Sequence, residues 1–251
     1  MDISETRTSL FGGEKSWNPQ DWTASDDRVR GGKSQSFLDC DSSDGVARFY
    51  GNLDIKTLGG AGFASQRTTG EDRSWDLSRF DGIELEITKS DAQADKQFTL
   101  ILKDELLPRN PEDGREQSTI SYEYDFKPEE IRKSVSSVKL FIPWDHLKAT
   151  YRGREKKDAP TLNKSDIKRV SLMMRSFFGE QEGPFSLSIR SISAVTNPDS
   201  TIHAAPAQQN HGDEPLRNVQ GEHDEKLGKR NDGVSYESGI ARSILRMCGI
   251  L

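Results

Sequence analysis

Residues 82–88 read Gly-Ile-Glu-Leu-Glu-Ile-Thr, and their pattern indicates the fold class. Its apolar members Ile83, Leu85 and Ile87 alternate with polar residues. A period of two is typical of a β-strand with one buried and one solvated face, because successive side chains point to opposite sides of a sheet. Residues 185–190 repeat the pattern as Phe-Ser-Leu-Ser-Ile-Arg. The sequence therefore predicts antiparallel sheets that bury one face.

Around these two segments, runs of β-branched and aromatic residues separated by Gly, Pro, Asn and Asp clusters fill residues 35–194. Helical patterning is limited to a turn or two after Pro128 and another at 143–147. We therefore expect an all-β protein, an antiparallel β-sandwich or jelly roll of eight or nine strands, rather than a parallel α/β fold. The clearest predicted strands are 46–53, 62–67, 82–88, 97–103, 118–126, 137–143, 169–175 and 184–195.

Composition divides the 251-residue chain into a body and a tail. Hydrophobic residues make up only 32%, yet all but one of the aromatic residues lie between Phe11 and Phe185. The body, 9–196, can therefore bury a core. Residues 197–239 are polar and proline-containing and predict a disordered linker. Residues 240–251 place their apolar side chains on one helical face, which predicts a short amphipathic terminal segment.

Charge and hydropathy exclude several protein classes. No run approaches the roughly 18 consecutive apolar residues of a transmembrane helix. The net charge is −6 with both signs interspersed, so nucleic acid is not an expected partner. Cys40 and Cys248 lie far apart, which disfavours a disulfide scaffold. The opening residues 1–14 carry three acids and resemble neither a signal nor a transit peptide, so the residues alone predict a cytoplasmic location.

The sequence contains no convincing catalytic or metal site. His146 is the only histidine of the body, and no motif links it to a nucleophile. Residues 31–34, Gly-Gly-Lys-Ser, resemble the end of a phosphate-binding loop, but Asp27 stands where the first glycine belongs. Residues 39–50 resemble a calcium loop but lack its glycine and its final glutamate. We expect a non-enzyme with no catalytic residues, no metal and no cofactor.

The most informative part of the body is residues 22–36, Trp-Thr-Ala-Ser-Asp-Asp-Arg-Val-Arg-Gly-Gly-Lys-Ser-Gln-Ser. Paired glycines permit a sharp backbone turn, and flanking Asp and Ser side chains can bond the amides exposed there. Two interpretations remain open: a structural turn leading into the first core strand, or a site that binds a partner. The candidate residues are Trp22, Asp27, Gly31, Gly32, Ser34 and Ser36.

This segment resembles the opening motif of the complex I intermediate-associated protein 30 family, a Trp, an Asp and then Gly-Gly-x-Ser-x-Ser. Further blocks follow in the order of that family, and together they cover roughly residues 9–195. They are Phe-Tyr-Gly-Asn-Leu at 49–53, Gly-Gly-Ala-Gly-Phe-Ala-Ser at 59–65, Asp-Leu-Ser at 76–78 with Phe-Asp-Gly-Ile at 80–83, Ile-Pro-Trp at 142–144, and Gly-Pro-Phe-Ser-Leu at 183–187.

The resemblance implies a galactose-binding-domain-like sandwich, as in several carbohydrate-binding modules. The best-known members are mitochondrial, chaperone-like assembly factors that bind unfolded or partly assembled clients during respiratory complex I assembly. The family brings no established catalytic residues. It thus implies protein clients as partners and a mitochondrial location, against the cytoplasmic location that the amino terminus favours.

The last four residues, 248–251, read Cys-Gly-Ile-Leu and fit the C-a-a-X prenylation motif with Leu at X. Basic residues such as Arg242 and Arg246 would supply the second signal that one lipid chain needs for stable anchoring. Cys248 is therefore a candidate lipidation site, and the tail a candidate contact with a membrane surface.

Three functions follow from the sequence. The first is a non-catalytic assembly factor that binds client polypeptides. The second is a carbohydrate- or small-ligand-binding module, which would need exposed Trp or Tyr rings beside polar groups. The third is a prenylated, membrane-tethered cytosolic adaptor.

Overall fold

The computed structural model describes residues 6–41, 45–88, 95–128 and 137–196. These residues form thirteen β-strands and no α-helix. The strands are β1 (Arg7–Gly12), β2 (Trp22–Ala24), β3 (Gln35–Asp41), β4 (Val46–Leu53), β5 (Phe63–Thr68), β6 (Gly82–Thr88), β7 (Phe98–Lys103), β8 (Ser121–Phe126), β9 (Ser137–Pro143), β10 (Lys148–Tyr151), β11 (Arg154–Glu155), β12 (Arg169–Arg175) and β13 (Gly183–Val195).

The strands build two antiparallel sheets, which confirms the predicted all-β sandwich. The first sheet has the order β3-β4-β13-β6-β9, with β1 also paired to β13. The second has the order β11-β10-β8-β7-β12-β5-β2. All eight predicted strands are present, while β1, β2, β3, β10 and the two-residue β11 were not among them. The predicted turn at 143–147 is a short 3-10 turn at Trp144–His146. The predicted turn after Pro128 lies largely outside the described residues, as do the tail segments 197–239 and 240–251.

The strand β13 organises the first sheet. Its first half pairs with β4 and its second half with β1, while β6 lies along its other side. The register of β13 against β6 shifts after Ile189, where β13 passes from its pairing with β4 to its pairing with β1. Because the pairing partners come from distant parts of the sequence, β13 holds the sheet together through long-range contacts.

The core lies between the two sheets and is rich in aromatic side chains. Phe49 on β4 packs against Phe98 of the second sheet and Phe185 of β13, with ring centroids 6.2 and 5.1 Å away. The alternation of β6 is confirmed on this side, since Ile83, Leu85 and Ile87 are all buried. Burial of this apolar surface is the main source of stability.

The opposite side of β6 differs from the expected solvated face. Glu84 is only 3% exposed. Its carboxylate pairs with Arg7 of β1, and Lys139 Nζ lies 3.5 Å away. The neighbouring Ser193 hydroxyl accepts from Arg7 at 2.9 Å. The strand β1 therefore places the Arg7 guanidinium beside Glu84, and the ion pair allows this carboxylate to be buried.

Candidate functional site

The motif segment forms a short 3-10 turn, Asp27–Arg30, between β2 and β3. Gly31 ends the turn in the left-handed region, with φ of 83°, where a residue with a side chain would be strained. Its N–H donates to Arg28 O at 3.0 Å, and the Gly32 N–H donates to Asp27 O at 3.1 Å. These bonds close the turn and direct the chain into β3.

Asp27 is fully buried, with 0% exposure, and anchors the turn through its carboxylate. Oδ1 accepts from Ser34 N at 3.0 Å, and Oδ2 accepts from Ser34 Oγ at 2.6 Å and from Phe63 N at 3.1 Å. Hydrogen bonds to a charged acceptor are the strong ones. Gly32 is required beside it, because a Cβ there would lie 2.2 Å from Asp27 Oδ1.

Asp26 forms a second buried anchor that connects the two sheets. Its Oδ1 accepts from Ser36 Oγ on β3 at 2.6 Å and from Ser65 N on β5 at 3.0 Å. Its Oδ2 accepts from Ser36 N at 3.2 Å. Since β3 belongs to the first sheet and β5 to the second, this carboxylate closes the edge of the sandwich between them.

The structure thus brings together most of the candidate residues. Asp27, Gly32 and Ser34 form one contact set, and Ser36 joins it through Asp26, which the candidate set omitted. Trp22 lies apart from these hydrogen bonds, in an aromatic cluster with Phe11 and Trp17 at 4.8 and 6.0 Å. The spacing of the Asp-Asp pair and the Ser-x-Ser pair is the sequence feature that indicates this arrangement, because each of the two carboxylates can accept hydrogen bonds from one serine.

The anchored turn presents a surface that sequence reasoning missed, which we call the loop rim: Val29, Arg30, Phe63, Phe177 and Phe178. Val29 is 67% exposed and Phe178 is 99% exposed. Phe177 and Phe178 both have positive φ, 45° and 61°. Such a conformation is uncommon for a bulky residue and is found at functional sites more often than elsewhere.

Contacts connect the two halves of the loop rim. The Arg30 guanidinium lies 5.6 Å from the centre of the Phe63 ring, and the Arg175 guanidinium lies 4.7 Å from that of Phe177. Phe63 and Arg175 are register partners on β5 and β12. The loop after β12 is also fixed by its backbone, because Ser176 N donates to Gly62 O at 3.0 Å. The motif turn and the Phe177–Phe178 loop therefore meet at one end of the sandwich.

His146, Cys40 and the potential metal ligands are the groups that bear on catalysis in the described residues. His146 is exposed and stacks on Tyr124, with ring centroids 6.5 Å apart. Burial, with Asp39 and Asp21 adding to it, raises the pKa of the Cys40 thiol to about 11, so the thiol is protonated at neutral pH. No group of three or more potential metal ligands occurs in the described parts of the chain.

The four tryptophans do not form a sugar-binding platform. Trp17 and Trp22 are buried, while Trp75 and Trp144 are half-buried and pack against the core. The Trp17 indole N–H donates to Arg190 O at 3.0 Å, and that of Trp144 donates to Phe80 O. The burial of Trp17 and Trp22 counts against a carbohydrate-binding module, whereas Trp75 and Trp144 are only partly buried.

The other candidate, Cys248, lies outside the described residues. Over the residues that the structure does describe, no helix is long and apolar enough to cross a bilayer.

The chain is similar to a fission-yeast protein and to several solved structures. It is 48% identical over 189 residues to an uncharacterized protein, C9E9.15, of Schizosaccharomyces pombe, with 74% of this chain and 83% of that protein covered. Among solved structures, an agarase and an exo-beta-agarase are similar, at 9% and 12% identity and a TM-score of 0.40 each. They cover 77% and 76% of this chain, which spans only 25% of their length. The model of the family described as complex I intermediate-associated protein 30 matches residues 10–189, and the chain belongs to that family.

Proposed function

We propose that this protein is a non-catalytic, chaperone-like assembly factor that binds client polypeptides through the loop rim during assembly of mitochondrial respiratory complex I. The family to which the chain belongs supports the complex I role. The observation that carries client binding is the fully exposed ring of Phe178 on a left-handed backbone.

Both features of Phe178 are unfavourable in the free protein. A left-handed conformation costs on the order of 1–2 kcal/mol at a residue with a side chain. An exposed phenylalanine gains nothing from burial, whereas full burial of such a ring against a partner contributes about 1.5–3 kcal/mol. Exposed aromatic anchors are typical of protein interfaces. Phe178 and Val29 together therefore offer apolar contacts to a client segment.

The base of the loop rim is rigid, which suits it to binding. Asp27 attaches the turn that carries Val29 to the backbone of Phe63, and the Ser176 amide attaches the second loop to Gly62. A surface held in this way loses little conformational entropy when a partner binds.

The proposal is tested by replacing Phe178 with aspartate in the full-length protein. A deletion strain of the organism is complemented with wild type, Phe178→Asp or Tyr151→Asp, and assembled complex I is quantified on native gels. Tyr151, another exposed aromatic residue, lies on the hairpin of β10 and β11 and serves as the matched control. We expect deletion and Phe178→Asp to lower complex I and to accumulate membrane-arm intermediates, while Tyr151→Asp restores assembly.

Two results would contradict the proposal at different points. A normal complex I level in the deletion strain would remove the assembly role altogether. Full complementation by Phe178→Asp, with the deletion defective, would leave the role in place and reject the loop rim as the client-binding surface.

Membrane attachment through Cys248 is a separate expectation, carried by the Cys-Gly-Ile-Leu terminus. If the cysteine is modified, the intact mass of protein from its native cell carries a geranylgeranyl group, and Cys248→Ser removes an endomembrane signal in imaging. An unmodified terminal leucine would refute lipidation. A mitochondrial signal that Cys248→Ser leaves unchanged would favour the assembly role over a tethered adaptor.

A further inference from the structure

A cluster of cations lies on the outer face of the second sheet, at the ends of the strands away from the loop rim. Arg67 is the last residue but one of β5, Lys103 ends β7 and Arg169 begins β12. Arg169 and Lys103 are register partners, and Arg67 is the partner of Ser171, two residues along from Arg169. Neighbouring strands therefore bring three positive charges together.

One carboxylate connects the two arginines. Glu116 Oε1 lies 2.8 Å from Arg67 Nη2, and Oε2 lies 3.0 Å from Arg169 Nη1. The Arg169 side chain is only 5% exposed. The Nε atoms of Arg67 and Arg169 are buried, and neither has a hydrogen-bond partner among the described residues. Each guanidinium thus uses one edge nitrogen on Glu116 and leaves a buried donor unsatisfied, which is costly.

Positive charge exceeds negative charge at this cluster. Burial, and then the charge of Arg169, lowers the pKa values of Lys103 and Arg67 from their usual ranges. The Lys103 ammonium donates to Thr119 Oγ1 at 2.8 Å rather than to a carboxylate. The nearby acids are engaged elsewhere: Glu123 pairs with Arg175, Glu71 with Arg109, and Asp104 accepts from Asn163 N. An additional anion would relieve this excess.

Glu116 belongs to a long connection, residues 104–120, which we call the strap. It joins β7 to β8, where a hairpin loop of two to five residues is usual. Between residues 105 and 118 no side chain is buried, and Leu107 is among the exposed large apolar residues. Ion pairs of Glu116 and Arg109 hold the strap to the body. Polar contacts of this kind exchange more readily for a competing ligand than an apolar anchor does.

We propose that Arg67, Lys103 and Arg169 form a binding site for the carboxylates of an acidic polypeptide segment, and that Glu116 occupies this site until such a segment displaces it. The planar fork of arginine matches a carboxylate, and Glu116 already demonstrates that a carboxylate fits between the two guanidiniums. The Lys103 ammonium, which donates to a hydroxyl and not to a carboxylate, offers a site for a second acidic group. The site is separate from the loop rim and does not depend on the role proposed for it.

The test measures binding of a fluorescein-labelled hexaglutamate peptide to the full-length protein by fluorescence anisotropy at low ionic strength. Glu116→Gln removes the internal competitor and keeps the shape of the side chain. We expect Glu116→Gln to bind the peptide about tenfold more tightly than wild type. In wild type, Glu116 occupies the site most of the time, and the apparent affinity for the peptide falls in proportion to the fraction of molecules whose site is open. Adding Arg67→Gln to Glu116→Gln should abolish this gain.

Glu112→Gln is the matched control, since it removes the same charge from the same strap at an exposed position without touching the arginines. It should bind like wild type. The peptide should also raise the melting temperature of Glu116→Gln more than that of wild type, which a merely unfolded variant could not show. Equal affinities of Glu116→Gln and Glu112→Gln would overturn the proposal. So would saturable binding of inorganic phosphate that hexaglutamate fails to displace, because the site would then be a phosphate site.

Discussion

Replacing Asp27 with alanine is expected to lower the free energy of unfolding by about 3–5 kcal/mol, a large fraction of the roughly 5–15 kcal/mol that stabilises an ordinary domain. The carboxylate accepts from Ser34 N, Ser34 Oγ and Phe63 N in a fully buried position. Alanine would leave both buried amides without an acceptor and would open a space beside Gly32. Urea titration followed by tryptophan fluorescence measures the change.

Two further variants test whether the loss of stability comes from the hydrogen bonds of the Asp27 carboxylate. Asp27→Asn keeps the size of the side chain but puts an NH₂ group toward a donor of either Ser34 or Phe63, so we expect an intermediate loss. Asp113→Ala removes an exposed carboxylate that accepts from Arg115 N and forms an exposed ion pair with Arg115 Nε at 3.7 Å, and should change stability by less than about 0.5 kcal/mol. An Asp27→Ala protein as stable as Asp113→Ala would show that the network contributes little.

Phe49→Ala is expected to cost about 3–5 kcal/mol, because it removes a fully buried ring and leaves a cavity between the sheets. The ring contacts Phe98 across the core and Phe185 beside it, so both lose packing partners. The same unfolding experiment measures the loss, and the slope of the transition should remain unchanged if the native fold persists.

Phe37→Ala provides the comparison within the same sheet. Phe37 lies on β3, next to the strand of Phe49, but is 44% exposed and stacks on Tyr50. We expect a loss of only about 1 kcal/mol, since nearly half of the residue stays in contact with water after folding and no closed cavity is left. If the two variants lost equal stability, the assignment of Phe49 to the centre of the core would be wrong.

The fold was largely predictable because its signal is local. The alternation of β6 and the runs of the other seven strands follow from side chains two residues apart. The burial of Glu84 was not predictable, since it depends on Arg7, which reaches the carboxylate only after β1 has paired with β13. Short strands such as β2 and β11 carry too few residues to show a period.

The candidate site was predictable in part for a related reason. The Asp-Asp and Ser-x-Ser pattern lies within one short segment, so the turn and its candidate residues could be named. Phe178 belongs to a loop whose position beside the turn depends on the pairing of β5 with β12. The contact of Glu116 with Arg67 and Arg169 joins three separate segments, and no local spacing indicates it.

The position of β13 has a consequence for how the protein is made. This strand is the last of the described body, yet it lies in the middle of the first sheet between β4 and β6. On the ribosome, the nascent chain must therefore carry both of those strands with exposed edges until residue 183 and beyond have emerged. Unpaired edges promote aggregation, and long-range pairing folds slowly. Closure of the sandwich is thus a late event, completed when synthesis of the body is nearly finished.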